Sequence, residues 1–422
     1  MAETSVEAVE AEVDAEAAVE PDAAPTETSD ASAEASDATD APASPDAPAT
    51  PDAPTTPRVS PLRKHLRAIA TTLAVYQSLH IVAFLGLLRV LHARDEPLKK
   101  FLHLGWDSAF YLDIARRGYE KSPDYAFFPL YSQLVHVLHV FGLTFNYTGV
   151  LTTILATSAA AVGIRYVGEK VAGARVGLIL TALWAVVPSA VIQVWAYADG
   201  LYTAFAAWTL YALLRRAWLT AGVLTLLAGL TRPSASALIL TVGLFALIAI
   251  IRREDGWRPW VGAALAPLGM LGYIFYVGHH FGKTTAYFKM QRDTWNNWFD
   301  GGKTTLDNFA ALVDGRADHP DLVFVIVILT MFAVPFLLVL AYRQRLPWPL
   351  LVYSTALSVL VLCSHRQTNI VPRELMSAFP LLLPLAQQLS RARNRGLIVG
   401  MLVIAAASGW YAWFLPLTYG AP

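Results

Sequence analysis

Residues 199–253 read DGLYTAFAAWTLYALLRRAWLTAGVLTLLAGLTRPSASALILTVGLFALIAIIRR. Three apolar runs are divided by Arg215-Arg216 and by Thr231-Arg232-Pro233, and the third stops at Arg252-Arg253. Apolar runs with short basic or polar stops are the pattern of helices that cross a bilayer. From Arg63 onward the pattern repeats, placing spans at about 68–92, 146–167, 175–192, 198–214, 217–231, 233–251, 260–278, 322–342, 348–363, 374–390 and 396–415. The expected architecture is an all-α polytopic membrane protein with about 11 crossings. The composition agrees, since 55% of the 422 residues are hydrophobic, 15% are charged and the mean hydropathy is +0.44, too apolar for an ordinary soluble domain.

The formal net charge of zero hides an asymmetry. Residues 1–57 carry 15 acidic residues and no Lys or Arg, while the rest of the chain carries all 32 basic residues and 17 acidic ones. Rich in Ala, Pro, Thr and Ser and without an aromatic residue, residues 1–60 are expected to be a disordered acidic cytoplasmic tail, because they cannot bury enough apolar surface to offset ordering entropy. They have neither the basic start nor the apolar centre of a signal peptide. Residues 61–422 form the membrane domain. One cysteine, Cys363, excludes an intrachain disulfide and Cys-rich metal or iron-sulfur sites. A ratio of 24 Arg to 8 Lys fits GC-rich bacterial coding, so a bacterial plasma membrane is the expected location.

The basic stops set orientation. With a cytoplasmic N-terminus, and with 128–142 lying on the outer surface as a helix, the clusters at Arg165/Lys170/Arg175, Arg215/Arg216, Arg252/Arg253/Arg258, Arg343/Arg345 and Arg391/Arg393/Arg395 all fall inside. The first outer loop, 93–145, the second large one, 279–320, the AYADG turn, the LTRPS break and the string SHRQTNIVPRE then gather on the outer face. So many ionisable residues beside apolar spans mark a site there.

Within the first outer loop stands GWDSAFYLDIARRGYEKSPDYAFFPLY, residues 105–131. An interfacial helix over 106–117 would turn Trp106, Phe110 and Ile114 toward lipid and set Asp107 beside Tyr111. Asp113, six residues on, lies about 120° round the helix from Asp107, so the two carboxylates do not share a face. Asp107 is then either a working carboxylate or a helix cap.

The strings Trp106-Asp107-x-x-x-Tyr111-x-x-Ile114-Ala115-x-x-Gly118-Tyr119 and Ala126-Phe127-Phe128-Pro129-Leu130-Tyr131 resemble the signature of the PIG-V mannosyltransferases, within the GT-C superfamily. The resemblance continues through Pro188–Tyr202, Leu230-Thr231-Arg232, Arg373 and Ala378-Phe379-Pro380. It implies a GT-C-like fold whose long first extracytoplasmic loop carries interfacial helices. It also implies transfer of mannose, with inversion, from a polyprenyl-phosphate carrier to a hydroxyl of a glycolipid or glycan acceptor. The carrier is a substrate, and no cofactor is expected.

The residues suit that chemistry. A carboxylate within about 2.6 to 3.2 Å can take the acceptor's proton, and Asp107 is the candidate base. Arg232, His365, Arg366 and Arg373 are candidates for holding the carrier phosphate, and Trp106, Tyr111, Asp124 and Asp199 for supporting the substrates. Blander readings stand beside these: Arg232 as a hairpin tip snorkelling to outer phosphates, His365, Arg366 and Arg373 as an exposed loop, Asp124 as a loop residue before FFPLY. No HxxxH, DxD or tight His/Asp cluster suggests a metal, and no phosphate loop or nucleic-acid motif occurs. A transporter or flippase for a lipid-linked saccharide remains the alternative, which inverted repeats would favour; the halves show no convincing repeat.

The orientation predicts that, in a Cys363→Ser background, Asp307→Cys is labelled by a membrane-impermeant maleimide added to intact cells. Labelling only after the cytoplasmic side is opened would overturn it.

Overall fold

A computed structural model describes residues 60–96, 106–316, 322–366 and 368–415. The readings made for the tail at 1–59, for parts of the two outer loops (97–105 and 317–321) and for the C-terminus at 416–422 lie outside the described residues. What is described belongs to one unit, Val59–Pro422.

The described residues are almost wholly helical. Helices α1 (Pro61–Ala93), α2 (Asp107–Arg117), α3 (Pro129–His139), α4 (Phe145–Ala172), α5 (Ala174–Ala185) and α6 (Asp199–Leu214) make the first half. Next come α7 (Trp218–Gly229), α8 (Ala235–Ile251), α9 (Arg258–Leu265), α10 (Leu268–His280), α11 (Ala286–Asp293) and α12 (Lys303–Val313). The last are α13 (Leu322–Arg343), α14 (Trp348–Leu362), α15 (Val371–Leu375), α16 (Leu383–Leu389) and α17 (Asn394–Ala412). Two-residue strands β1 (Trp298–Phe299) and β2 (Ser364–His365) pair antiparallel.

Eight of the eleven expected runs coincide with single helices, and the other three with helix that is interrupted. Among the described residues, five helical stretches, Leu62–Ala93, Phe145–Ala172, Arg258–His280, Leu322–Arg343 and Asn394–Ala412, are long and apolar enough to cross a membrane by length and composition. Three runs are interrupted, each near proline. The run 175–192 stops at Ala185, short of Pro188, and resumes as a 3-10 turn at Ala190–Gln193; 260–278 divides into α9 and α10 at Pro267. The run 374–390 is broken into the end of α15, a 3-10 turn at Phe379–Leu382 and α16, with Pro380 and Pro384 as the second residues of the last two.

Unpaired backbone is costly inside an apolar protein, and buried side chains cover the breaks. The Tyr202 hydroxyl donates to the Ser234 carbonyl (2.9 Å), the Tyr353 hydroxyl to that of Ser377 (3.0 Å) and the Trp184 indole to that of Met376 (3.1 Å). All three side chains are fully buried. The tight turn after α6 has Arg216 at φ 57° and pairs it with Glu254 and Asp255 of the turn after α8, so two basic-acidic turns meet at one end of the bundle.

The Trp106–Phe110–Ile114 stripe does not face lipid. Ile114 is buried, Phe110 stacks on Phe127 with ring centroids 4.9 Å apart, and Trp106 stacks on Trp195 at 6.2 Å. The 106–131 segment packs into the protein, and its aromatic residues build core. Asp113 does point away, half exposed beside Arg116 at 3.8 Å.

Helices α1 and α17 approach through small residues, as apolar helices do where dispersion contact must replace a hydrophobic drive. A Cβ at Gly86 would meet the Ala406 carbonyl oxygen at 2.7 Å, and one at Gly409 would overlap that of Ala83. Gly409→Ala is therefore expected to lower stability by about 1 to 3 kcal/mol, the usual cost of overpacking. Gly243→Ala, where a Cβ meets nothing within 4 Å, should not. Thermal unfolding in detergent compares the two; equal midpoints would refute the close packing.

Candidate active site

Four chain breaks converge. At the first, Trp106 adopts φ 54°, an uncommon backbone for a side chain of its size, and turns the chain into α2 with Asp107 as its first residue. α2 has no side-chain cap, so Asp107 is not spent as one. The second break starts α6 with Asp199, the third carries Arg232 between α7 and α8, and the fourth, after α14, carries Arg366, Arg373 and Glu374.

These six charged residues form one alternating chain. Asp107 Oδ2 accepts from Arg373 (2.5 Å), whose Nε lies 3.5 Å from Asp199 Oδ1. Asp199 Oδ2 pairs with Arg232, which reaches Glu374 Oε1 at 3.5 Å, and Glu374 Oε2 pairs with Arg366. Three carboxylates match three guanidiniums, as a buried set must to limit desolvation. The Arg373 guanidinium also lies 4.9 Å over the Tyr197 ring. In α15, outside the spans, burial alone would lower the Arg373 pKa, but Asp107 and Asp199 outweigh it and raise the value, so this cation keeps its charge.

Exposure separates the carboxylates. The Asp107 side chain is 19% exposed, against 5% for Asp199 and 10% for Glu374. A cavity of about 290 Å³ opens on Asp107, Arg232, Arg366, Arg373 and Glu374, and Asp199 supports it from behind. The remaining walls are largely aromatic: Trp106, Phe110, Tyr111, Phe127, Phe128 and Trp295. Glu374 already holds an arginine on each oxygen. Asp107 is the carboxylate with the most room for a substrate.

Of the residues nominated from sequence, the structure brings Asp107, Arg232, Arg366, Arg373, Trp106 and Tyr111 to the cavity and sets Asp199 against it. Two it places elsewhere. His365 stacks on Trp298 across the β1–β2 pair and contacts Thr304 and Asn296, holding α12 and its flanks to the end of α14. Asp124 is buried and accepts the backbone N–H groups of Glu120 and Lys121, capping the turn before Phe127. Glu374 went unnominated although it follows Arg373 directly; an acid next to an arginine within a polar break was its signal. Gln291, Trp295 and Asn297 reach the cavity from the 279–320 segment, and nothing local in the sequence marks them. The buried Trp295 Nε1 has no hydrogen-bond partner among the described residues. No group of three or more metal-ligating side chains occurs among the described residues.

The fold is shared with solved structures of ArnT. Among solved structures, ArnT from Cupriavidus metallidurans bound to undecaprenyl phosphate superposes with a TM-score of 0.52 at 16% identity, over 82% of this chain and 64% of that one. The apo form of the same protein gives 0.49 at 16% identity, over 72% and 59%. This chain thus spans less than two thirds of the ArnT length. The family described as Mannosyltransferase (PIG-V) matches residues 73–255, which bears out the resemblance read from the sequence and covers Asp107, Asp199 and Arg232. No curated protein sequence matches the chain.

Glu374 pairs with two arginines, so its removal leaves the buried Arg366 without a carboxylate partner and Arg232 with Asp199 alone. Glu374→Ala is expected to cost about 3 to 5 kcal/mol, as loss of one member of a buried ion pair usually does. Adding Arg366→Met should recover part of the loss. Unfolding of the single and double variants measures this, and a wild-type midpoint for Glu374→Ala would refute the role.

Proposed function

We propose that the chain is an inverting membrane glycosyltransferase. It moves mannose from polyprenyl-phosphate-mannose to a hydroxyl of a glycolipid or glycan acceptor on the extracytoplasmic face of a bacterial plasma membrane. The observation that carries this reading is the alternating ion chain on the wall of an aromatic cavity, with one carboxylate left partly open. The family match and the resemblance to an undecaprenyl-phosphate-binding fold support it.

In the proposed reaction the acceptor oxygen bonds to the anomeric carbon as the bond from that carbon to the phosphate oxygen breaks. The hydroxyl proton passes to Asp107, and the phosphate leaves on its lipid with the bonding electrons. Arg373, Arg232 and Arg366 receive the phosphate charge in a site of low effective dielectric, where fixed cations stabilise it more than water does. They supply the positive charge a divalent ion would otherwise bring. In the resting protein Arg373 is paired with Asp107. A phosphate that engages Arg373 weakens this pair and leaves the carboxylate available to the acceptor, so donor binding prepares the base. Tyr111, Trp106 and Trp295 give flat apolar surfaces for a sugar ring.

Purified protein given radiolabelled polyprenyl-phosphate mannose and a membrane lipid extract should yield a new labelled glycolipid. Donor binding without transfer to any lipid would favour a flippase instead. Asp107→Asn should lower turnover by roughly 10² to 10⁴ with donor binding retained, while Asp113→Asn is tolerated. Near-normal transfer by Asp107→Asn at matched protein level would refute the assignment. Arg232→Ala and Arg373→Ala should each weaken donor binding by about 1.5 to 3 kcal/mol, the range for a charge-assisted hydrogen bond. Unchanged donor affinity in both would refute the phosphate site.

A further inference from the structure

A groove of about 920 Å³ runs between α1, the start of α5 and α17, well away from the aromatic cavity. On α4, Thr153 bonds the Tyr131 hydroxyl near the active-site aromatics, whereas Arg165, which lines the groove, lies twelve residues on, about 18 Å farther along the axis. Its charged lining residues are Lys64, Arg67, Arg165 and Arg175, with no carboxylate. The walls beyond them are apolar and include Val75, Leu79, Ile179 and Met401.

Two sequence-distant basic clusters therefore meet around one slot. An inside-positive charge bias accounts for exposed cations at helix ends, and Lys64, Arg67 and Arg175 are exposed. It does not account for Arg165, whose side chain is only 9% exposed. The Arg165 guanidinium has Glu169 at 3.3 Å and the Thr72 hydroxyl at 3.4 Å, while its buried Nε has no hydrogen-bond partner among the described residues. Lys64 and Arg67 have no ion-pair partner among the described residues, so Glu169 leaves most of the positive charge uncompensated. Arg175 is held toward the groove by the Asn394 side chain (2.6 Å) and the Ala392 carbonyl (2.7 Å). Fixed cations over an apolar slot between membrane helices complement an anion that carries hydrocarbon.

We propose that this groove binds an anionic glycerophospholipid of the leaflet at that end of the molecule. The headgroup phosphate sits among Lys64, Arg67, Arg165 and Arg175, and an acyl chain lies along Val75, Leu79 and Met401. Such a lipid fills the groove between α1, α5 and α17 and balances the positive charge that Glu169 leaves.

Native mass spectrometry of the full chain, released from nanodiscs of equal phosphatidylglycerol and phosphatidylcholine, reads the site directly. Retention of phosphatidylglycerol over phosphatidylcholine is expected. Because Arg165→Gln removes a buried charge and can fail to fold, the exposed pair Lys64→Gln with Arg67→Gln is the main variant; it should weaken that preference by about fivefold per charge removed. Arg343→Gln with Arg345→Gln, in a separate basic cluster, should leave it intact. Equal retention of both lipids, an unchanged preference in the Lys64/Arg67 variant, equal loss in the Arg343/Arg345 variant, or displacement by inorganic phosphate alone would each overturn the proposal. So would preferential retention of added polyprenyl phosphate.

Discussion

The buried chain Asp107–Arg373–Asp199–Arg232–Glu374–Arg366 is the constraint on which the rest of the fold depends. An ionised side chain buried in protein without a partner is costly, so each break that carries one needs another to pair with. Each break offers what another needs: Asp107 and Asp199 lie at helix starts, where the dipole favours a carboxylate, and the arginines come from the α7–α8 turn, the segment after α14 and the short helix α15. Joining them ties α2, α6, the α7–α8 turn and α15 into one unit. Tyr202, Tyr353 and Trp184 then cover the backbone that the breaks expose. Helix order follows from hydropathy; the meeting of the helices at one point follows from charge.

The same distinction explains what the sequence made legible. Apolar runs and basic stops report helices locally, and eight of the eleven runs are single helices. Their interruptions at Pro267, Pro380 and Pro384 were visible as residues, but whether proline kinks or ends a helix depends on whether neighbours take up the freed backbone groups. Tyr353 covers the Ser377 carbonyl at one such break, and the sequence does not reveal that contact. The stripe Trp106–Phe110–Ile114 had the right period and the wrong partner, because spacing defines a face without saying what covers it; here Phe127, Trp195 and Trp295 do.

At the site, residue type and chain break together pointed to Asp107, Arg232, Arg366 and Arg373, which the structure gathers. His365 shared the same polar string as Arg366, yet the β1–β2 pair turns it to Trp298. Adjacent residues in an extended segment point to opposite sides, so one string served both a structural clasp and the cavity. Glu374 was missed because it stands at the start of an apolar run and reads as a span terminus. Its partners Arg232 and Arg366 are distant or not adjacent in sequence, and pairing of that kind leaves no periodic trace.

Charge balance links the resting structure to the proposed reaction. With three carboxylates and three guanidiniums the wall is neutral, and a phosphate entering it brings negative charge without a waiting counter-ion. Some existing pair must then loosen. Asp199 is held on both oxygens by Arg232 and Arg373, and Glu374 on both by Arg232 and Arg366, whereas Asp107 is held through Oδ2 and is the most exposed of the three. Least is lost where a carboxylate has one partner and can reach water or substrate. The incoming phosphate therefore competes most effectively for Arg373 at Asp107. Under the proposed function, the group released by donor binding is the one the acceptor hydroxyl requires, so the donor binds before the acceptor is activated.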